Sequence, residues 1–157
     1  MENKWKGVSI RYIPFSIREI MMESGNSPPA VLPARKKMLS VDVKRTGKFW
    51  DIPLTPPPKF MEWIMKYTTT GAMQVLLVLE EQDKELMLRA AREFWMRLWS
   101  RSEKIFEDQD FVEVLKAIGV KNVDEVIEKS KEEKFAKILA ANTQRGVDMS
   151  VSHLAHS

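Results

Sequence analysis

Residues 71–81 carry apolar side chains nearly all the way round a helical wheel: Ala72, Met73, Val75, Leu76, Leu77, Val78 and Leu79, with only Gln74 among them. Such a helix has no face to give to water, so other elements must cover it on every side. That requirement dictates a mainly α fold with this segment at the centre of a bundle. The run also falls well short of the roughly 20 apolar residues that cross a bilayer. Glu80 and Glu81 close it, so membrane insertion is not expected. Asp83 is placed to cap a long helix over residues 84–101. One side of that helix holds Leu86, Ala90, Ala91, Phe94, Trp95, Leu98 and Trp99, bulky enough to be core or a subunit interface. Glu85, Arg89, Glu93, Arg97 and Arg101 recur at every fourth position and predict a charge ladder facing solvent.

The N-terminal part is organised differently. Residues 8–14, Val-Ser-Ile-Arg-Tyr-Ile-Pro, alternate as a strand does. A single strand needs neighbours for its N–H and C=O groups, so it either pairs in an oligomer or has lost its partners. Residues 15–22 have helical spacing and stop at Ser24-Gly25. A second helix is expected from Pro33, which suits a first turn, with Met38, Val41, Phe49 and Trp50 on its apolar side. Pro56-Pro57-Pro58 ends that region in a rigid corner. Residues 59–67 predict a short amphipathic helix with Phe60, Trp63 and Ile64 turned inward. Beyond the long helix, residues 111–118 are closed by Gly119, and Asn122 with Glu125 resembles a capping box. The charge run 129–134 leads into a helix over 135–143. Three parts follow: a strand at 1–14, a helical domain at 15–145 and a weakly ordered tail at 146–157.

The chain of 157 residues is 44% hydrophobic, enough for the core of one domain. It has no cysteine, which excludes disulfides, thiol nucleophiles and Cys-based metal sites. His153 and His156 stand at i, i+3 with no third ligand, so no metal site is expected. Residues 1–79 hold 12 Lys/Arg against 6 Asp/Glu, whereas residues 80–157 hold 13 against 16. The basic half lacks the dense cationic face with interleaved aromatics of a nucleic-acid binder, so no nucleic-acid partner is expected, and a small anion suits it better. The stretch with site-like chemistry is residues 24–37, Ser-Gly-Asn-Ser-Pro-Pro-Ala-Val-Leu-Pro-Ala-Arg-Lys-Lys, which composition alone favours reading as a Pro-rich connector whose Arg35, Lys36 and Lys37 are the exposed start of a helix. Gly25 can take positive φ, Asn26 can bond a ligand, and the prolines stiffen the arm between Asn26 and Arg35.

Two of these stretches resemble the kappa-class glutathione transferases. One is Ile20-Met21-Met22-Glu23-Ser24-Gly25-Asn26-Ser27-Pro28-Pro29, followed by Leu32-Pro33 and a cation. The other is Arg92-Glu93-Phe94-Trp95-Met96-Arg97-Leu98-Trp99-Ser100-Arg101. The resemblance runs from about Trp5 to about Thr143. It implies a thioredoxin-like domain of the DsbA type with an inserted helical domain, of which this chain carries the helical part and one strand. It implies glutathione as co-substrate, conjugation to electrophiles, and pairing with a second copy or a related subunit. By motif position, Asn26 matches a glutathione-binding asparagine and Arg35 a lysine near the peptide. The family's catalytic serine would lie before Met1, so the resemblance assigns no catalytic residue here and implies impaired activity. The alternatives are a truncated isoform or a non-catalytic helical module. Family members occur in mitochondria and peroxisomes, and this chain shows no targeting signal of either kind.

Overall fold

The computed structural model describes Gly7, residues 9–28 and residues 31–154. Its elements in order are α1 (Ile17–Glu23), α2 (Pro33–Trp50), α3 (Phe60–Lys66), α4 (Thr70–Gln82), α5 (Lys84–Ser100), α6 (Asp108–Ala117), α7 (Val123–Ser130) and α8 (Glu133–Leu154). The mainly α architecture stands as read.

Helix α4 is the hub, packed against α5, α6, α7 and α8. Val75, Val78 and Leu79 have no exposed surface. They meet Met87 and Ala90 of α5, Val114 and Leu115 of α6, Val126 of α7 and Phe135 of α8 in one core cluster. A single extended residue joins α4 to α5. Asp83 donates its N–H to the Leu79 carbonyl (2.8 Å) and accepts from the Glu85 N–H through Oδ1 (2.8 Å), ending one helix and capping the next. Gly119, at φ +83°, closes α6: its N–H reaches the Lys116 carbonyl (3.0 Å) and Val120 reaches Leu115 (3.0 Å), the paired bonds of a Schellman motif. Gly71 is required by packing, since a Cβ there would lie 2.8 Å from the Phe111 ring. The Asn122 amide bonds the Glu125 carboxylate directly (3.0 Å), and it is Asp110 that takes backbone N–H groups, those of Phe106 (2.8 Å) and Glu107 (3.0 Å).

Four expectations need correction. The strand does not form: the described residues 9–14 run without strand pairing. The neighbouring backbone is helical and already bonded, so side chains take the carbonyls instead, Lys84 Nζ that of Ile10 (3.1 Å) and Asn142 Nδ2 that of Pro14 (3.1 Å). The charge ladder on α5 is solvated only in part: Glu85, Arg89 and Arg101 are exposed, but Arg97 is not. Arg97 is buried, its Nε donating to the Lys104 carbonyl (3.2 Å) and its guanidinium pairing with Glu113 (2.8 Å), Glu103 (3.4 Å) and Asp110 (3.9 Å). Arg89 donates to the Ile118 carbonyl. Helix α6 and the loop before it pack on this side and bring acceptors that water would otherwise supply.

The described part of the tail, through Leu154, is helical. Helix α8 runs through Gly146 without a break, and Val147 is buried. A Cβ on Gly146 would stand 2.5 Å from Cδ1 of Ile20, so glycine lets α1 lie close against α8. Finally, the apolar side of α2 is uncovered: Met38, Phe49 and Trp50 are 67%, 78% and 63% exposed. The rest of the N-terminal region is tied down at particular points. Thr55 donates its N–H to the Trp99 carbonyl (2.5 Å), and Ser102 Oγ donates to the Thr55 carbonyl (3.1 Å). Phe60 packs on Trp99 with ring centroids 4.9 Å apart, which attaches α3 to the end of α5.

Candidate functional site: a methionine-lined cavity beside Asn26

Helix α1 is short and held at both ends. Ser16 accepts the Glu19 N–H through its hydroxyl (3.4 Å) and donates its own N–H to Thr143 Oγ1 of α8 (3.0 Å). At the other end Gly25 takes φ +67°, its N–H reaching the Met22 carbonyl (3.2 Å), and the Asn26 N–H reaches Met21 (2.8 Å). This is the Schellman pattern again, and it places Asn26 at a defined position just past the helix. Asn26 Oδ1 accepts from the Ser27 N–H (2.8 Å), and the residue stays exposed. The expected chemistry at Asn26 therefore rests on a fixed backbone.

Asn26 lines a cavity of about 500 Å³ between α1, α3 and the near side of α2. Its walls are mainly apolar: Met21 and Met22 from α1, Leu39 from α2, and Phe60, Met61, Ile64 and Met65 from α3. Tyr67, Thr68, Thr69 and Thr70 add hydroxyls at one edge. Arg18 bridges the two short helices by donating to the Ile64 carbonyl (2.6 Å). Tyr67 stacks on Phe106 with planes 5° apart, and Lys104 Nζ lies 3.4 Å from its hydroxyl, a bond that holds the ammonium above the ordinary lysine range. A cavity of this size with a few polar groups suits a small organic ligand. Four of the ten methionines line it, and their flexible thioethers can adapt to more than one apolar shape.

Arg35 stands in the first turn of α2, exposed and outside the cavity lining. The capping position of α2 is Leu32, which has no side-chain acceptor, and no acid lies in the first turn. The uncapped N–H groups and the cations Arg35, Lys36 and Lys37 make this helix end positive, as an anionic group would need. Pro29 and Ala30, between the two expected contacts, lie outside the described residues. Sequence reasoning named Asn26 and missed Arg18, Tyr67 and the four methionines. The turn at Ser24-Gly25 was a local signal for Asn26, whereas the others meet only through tertiary packing. Among the described residues no group of three or more His, Cys, Asp or Glu could hold a metal ion, and no helix is long and apolar enough to cross a membrane. His156 lies outside the described residues.

The chain belongs to the family of DSBA-like thioredoxin domains, whose sequence profile matches residues 1–152. Within that family it is similar to proteins named glutathione S-transferase kappa 1. The Caenorhabditis elegans protein is 73% identical over 149 residues, covering 95% of this chain and 66% of the relative. The human protein is 31% identical over 119 residues, covering 76% and 52%, and the Rattus norvegicus protein is 28% identical over 113 residues, covering 72% and 50%. The chain thus spans about half to two thirds of the length of these curated relatives. The resemblance carried by the two sequence motifs is borne out: the relatives are kappa-class glutathione transferases, an enzyme family.

Proposed function

We propose that this chain binds glutathione at the mouth of the methionine-lined cavity and belongs to a kappa-class transferase reaction. The observation that carries this reading is Asn26, fixed by the α1 Schellman motif on the cavity wall, in a chain 73% identical to a protein named for that activity. In this reading the Asn26 amide bonds the peptide backbone of glutathione, and Arg35 with the positive end of α2 holds one of its carboxylates. The apolar cavity receives the electrophile. Conjugation forms a bond from the glutathione sulfur to the electrophilic carbon, the leaving group departs with its electron pair, and the thiol proton goes to solvent.

For the chain by itself the activating step is the weak one. An unassisted thiol has a pKa of about 8.5, so only a few per cent is thiolate at neutral pH. Of the nearby hydroxyls, Ser24 donates its proton to the Met21 carbonyl, and Ser16, which accepts the Glu19 N–H, is buried beside Thr143 of α8. The chain therefore holds glutathione without lowering its thiol pKa. Pairing with a second copy or a related subunit is part of the same proposal.

Calorimetry with glutathione tests the binding. Wild type is expected to bind, and Asn26→Ala or Arg35→Ala to weaken binding about 10-fold each, near 1.4 kcal/mol. No heat from wild type, or an unchanged affinity in both variants, overturns the site. Thiolate absorbance of the bound peptide tests the second point, with an expected pKa within about half a unit of the free value; a drop to near neutral means that the chain activates sulfur after all.

A further inference from the structure

Helix α2 has an inner and an outer side. Leu39 lines the cavity, Val43 is half-buried and Gly47 is buried against Ile52 and Leu54, so one line of the helix faces the molecule. At about 3.6 residues per turn, the opposite line is centred between Val41 and Arg45 and spans an arc of about 140°. Four cations stand on it, Lys37, Lys44, Arg45 and Lys48, all exposed. Between them are Met38, Val41 and Phe49, which are 67%, 42% and 78% exposed. The one acid of α2, Asp42, lies outside the arc. The helix has 18 residues, about 27 Å of length along which cations and apolar side chains are interspersed.

We propose that this outer face of α2 adsorbs to an anionic lipid bilayer surface. The proposal is independent of the glutathione reading, since it uses neither Asn26, Arg35 nor the cavity. The charge complementarity is one-sided, four cations and no acid, and calls for an anionic partner. The interleaved Met38, Val41 and Phe49 call for apolar depth beneath that charge. A bilayer interface offers both in one plane: phosphates that move laterally to meet each cation, and acyl chains just below. Lysine and arginine stems extend toward the headgroups while the apolar side chains go deeper. A folded acidic protein would need fixed pockets in register with an interspersed pattern on a convex helix. A single nucleic-acid strand would answer the cations and leave Met38 and Val41 in water.

Co-sedimentation with vesicles decides it. Wild type is expected to sediment with vesicles of phosphatidylglycerol mixed equally with phosphatidylcholine, to stay in solution with phosphatidylcholine alone, and to be released by salt. The variant K44E/R45E/K48E, which leaves the positive end of α2 untouched, is expected to lose at least about 100-fold in affinity, given roughly 5-fold per surface charge. Phe49→Ser is expected to lose about 10-fold without changing the salt dependence. All four positions are exposed, so both variants should keep the wild-type thermal transition and glutathione affinity. Failure to sediment with the mixed vesicles overturns the proposal. So does equal sedimentation with both kinds, which would be apolar adhesion alone, or release by polyuridylate at equal charge, which would make the face a nucleic-acid surface. A wild-type dimer that the charge-reversed variant converts to monomer, with no vesicle binding, would make it a contact between copies.

Discussion

Helices α4 and α2 lie in one chain and both carry large apolar residues, yet they end in opposite surroundings. Val75, Val78 and Leu79 of α4 have no exposed surface, while Met38, Phe49 and Trp50 of α2 are more than half exposed. The difference is one of company. Helix α4 is apolar all round and is covered by four neighbouring helices, each giving one face. Helix α2 mixes six Lys/Arg with its apolar residues, so only the narrow line of Leu39, Val43 and Gly47 turns toward the molecule and most of its circumference stays in water. The C-terminal region spends its apolar surface on stability; the N-terminal region leaves its apolar surface available, as a cavity on one side of α2 and an open face on the other.

That contrast can be broken by substitution. The largest effect is expected at Phe135, wholly buried against α4: Phe135→Ala should cost about 3–5 kcal/mol, lowering Tm by about 10 °C. The same change at Phe49 should stay within about 0.5 kcal/mol. Comparable losses at both positions by calorimetry would show that α2 is packed after all.

Next comes the ion cluster around the buried Arg97. Arg97→Ala leaves Glu113, Asp110 and Glu103 facing one another without their cation and should cost about 2–4 kcal/mol in urea unfolding. Arg101→Ala, whose partner Glu93 is 2.5 Å away but whose side chain is 38% exposed, should cost less than about 1 kcal/mol. If the two losses are equal, burial does not set the strength of these pairs.

The smallest effect is at Glu81. Its hydrogen bond to Lys134 holds its carboxyl below the ordinary range, with Lys129 also contributing. The folded pKa is lowered, so the stabilisation is present above the ordinary carboxylate pKa and is lost as pH falls through the lowered value. Because the carboxylate is 35% exposed and screened, less than about 1 kcal/mol is at stake. Glu81→Gln should flatten the pH dependence of Tm on the acid side and leave it unchanged near neutrality.

How much of this was legible in the sequence follows the same division. The central place of α4, the Asp83 cap and the Gly119 stop came from local pattern, because apolar period and cap chemistry act within a few residues. The arginine row on α5 was misread since its period is real but its surroundings are not local: Arg97 turns inward only because α6 brings Asp110 and Glu113 to it. Gly146 was taken for an ending, and only the Ile20 side chain, distant in sequence, explains why a helix keeps glycine there. At the site, Asn26 was visible through its turn. Arg18 was not, because its carbonyl partner on Ile64 belongs to a different helix.

The Ser16 to Thr143 hydrogen bond gives α1 a compass bearing as well as an anchor. Seven residues of helix separate that bond from the turn that carries Asn26, a lever about 10 Å long. A slip of one residue at the anchored end would swing the far end by about 100°. Asn26 is thus aimed from α8, and threonine at position 143, with no ligand of its own, sets where the asparagine points.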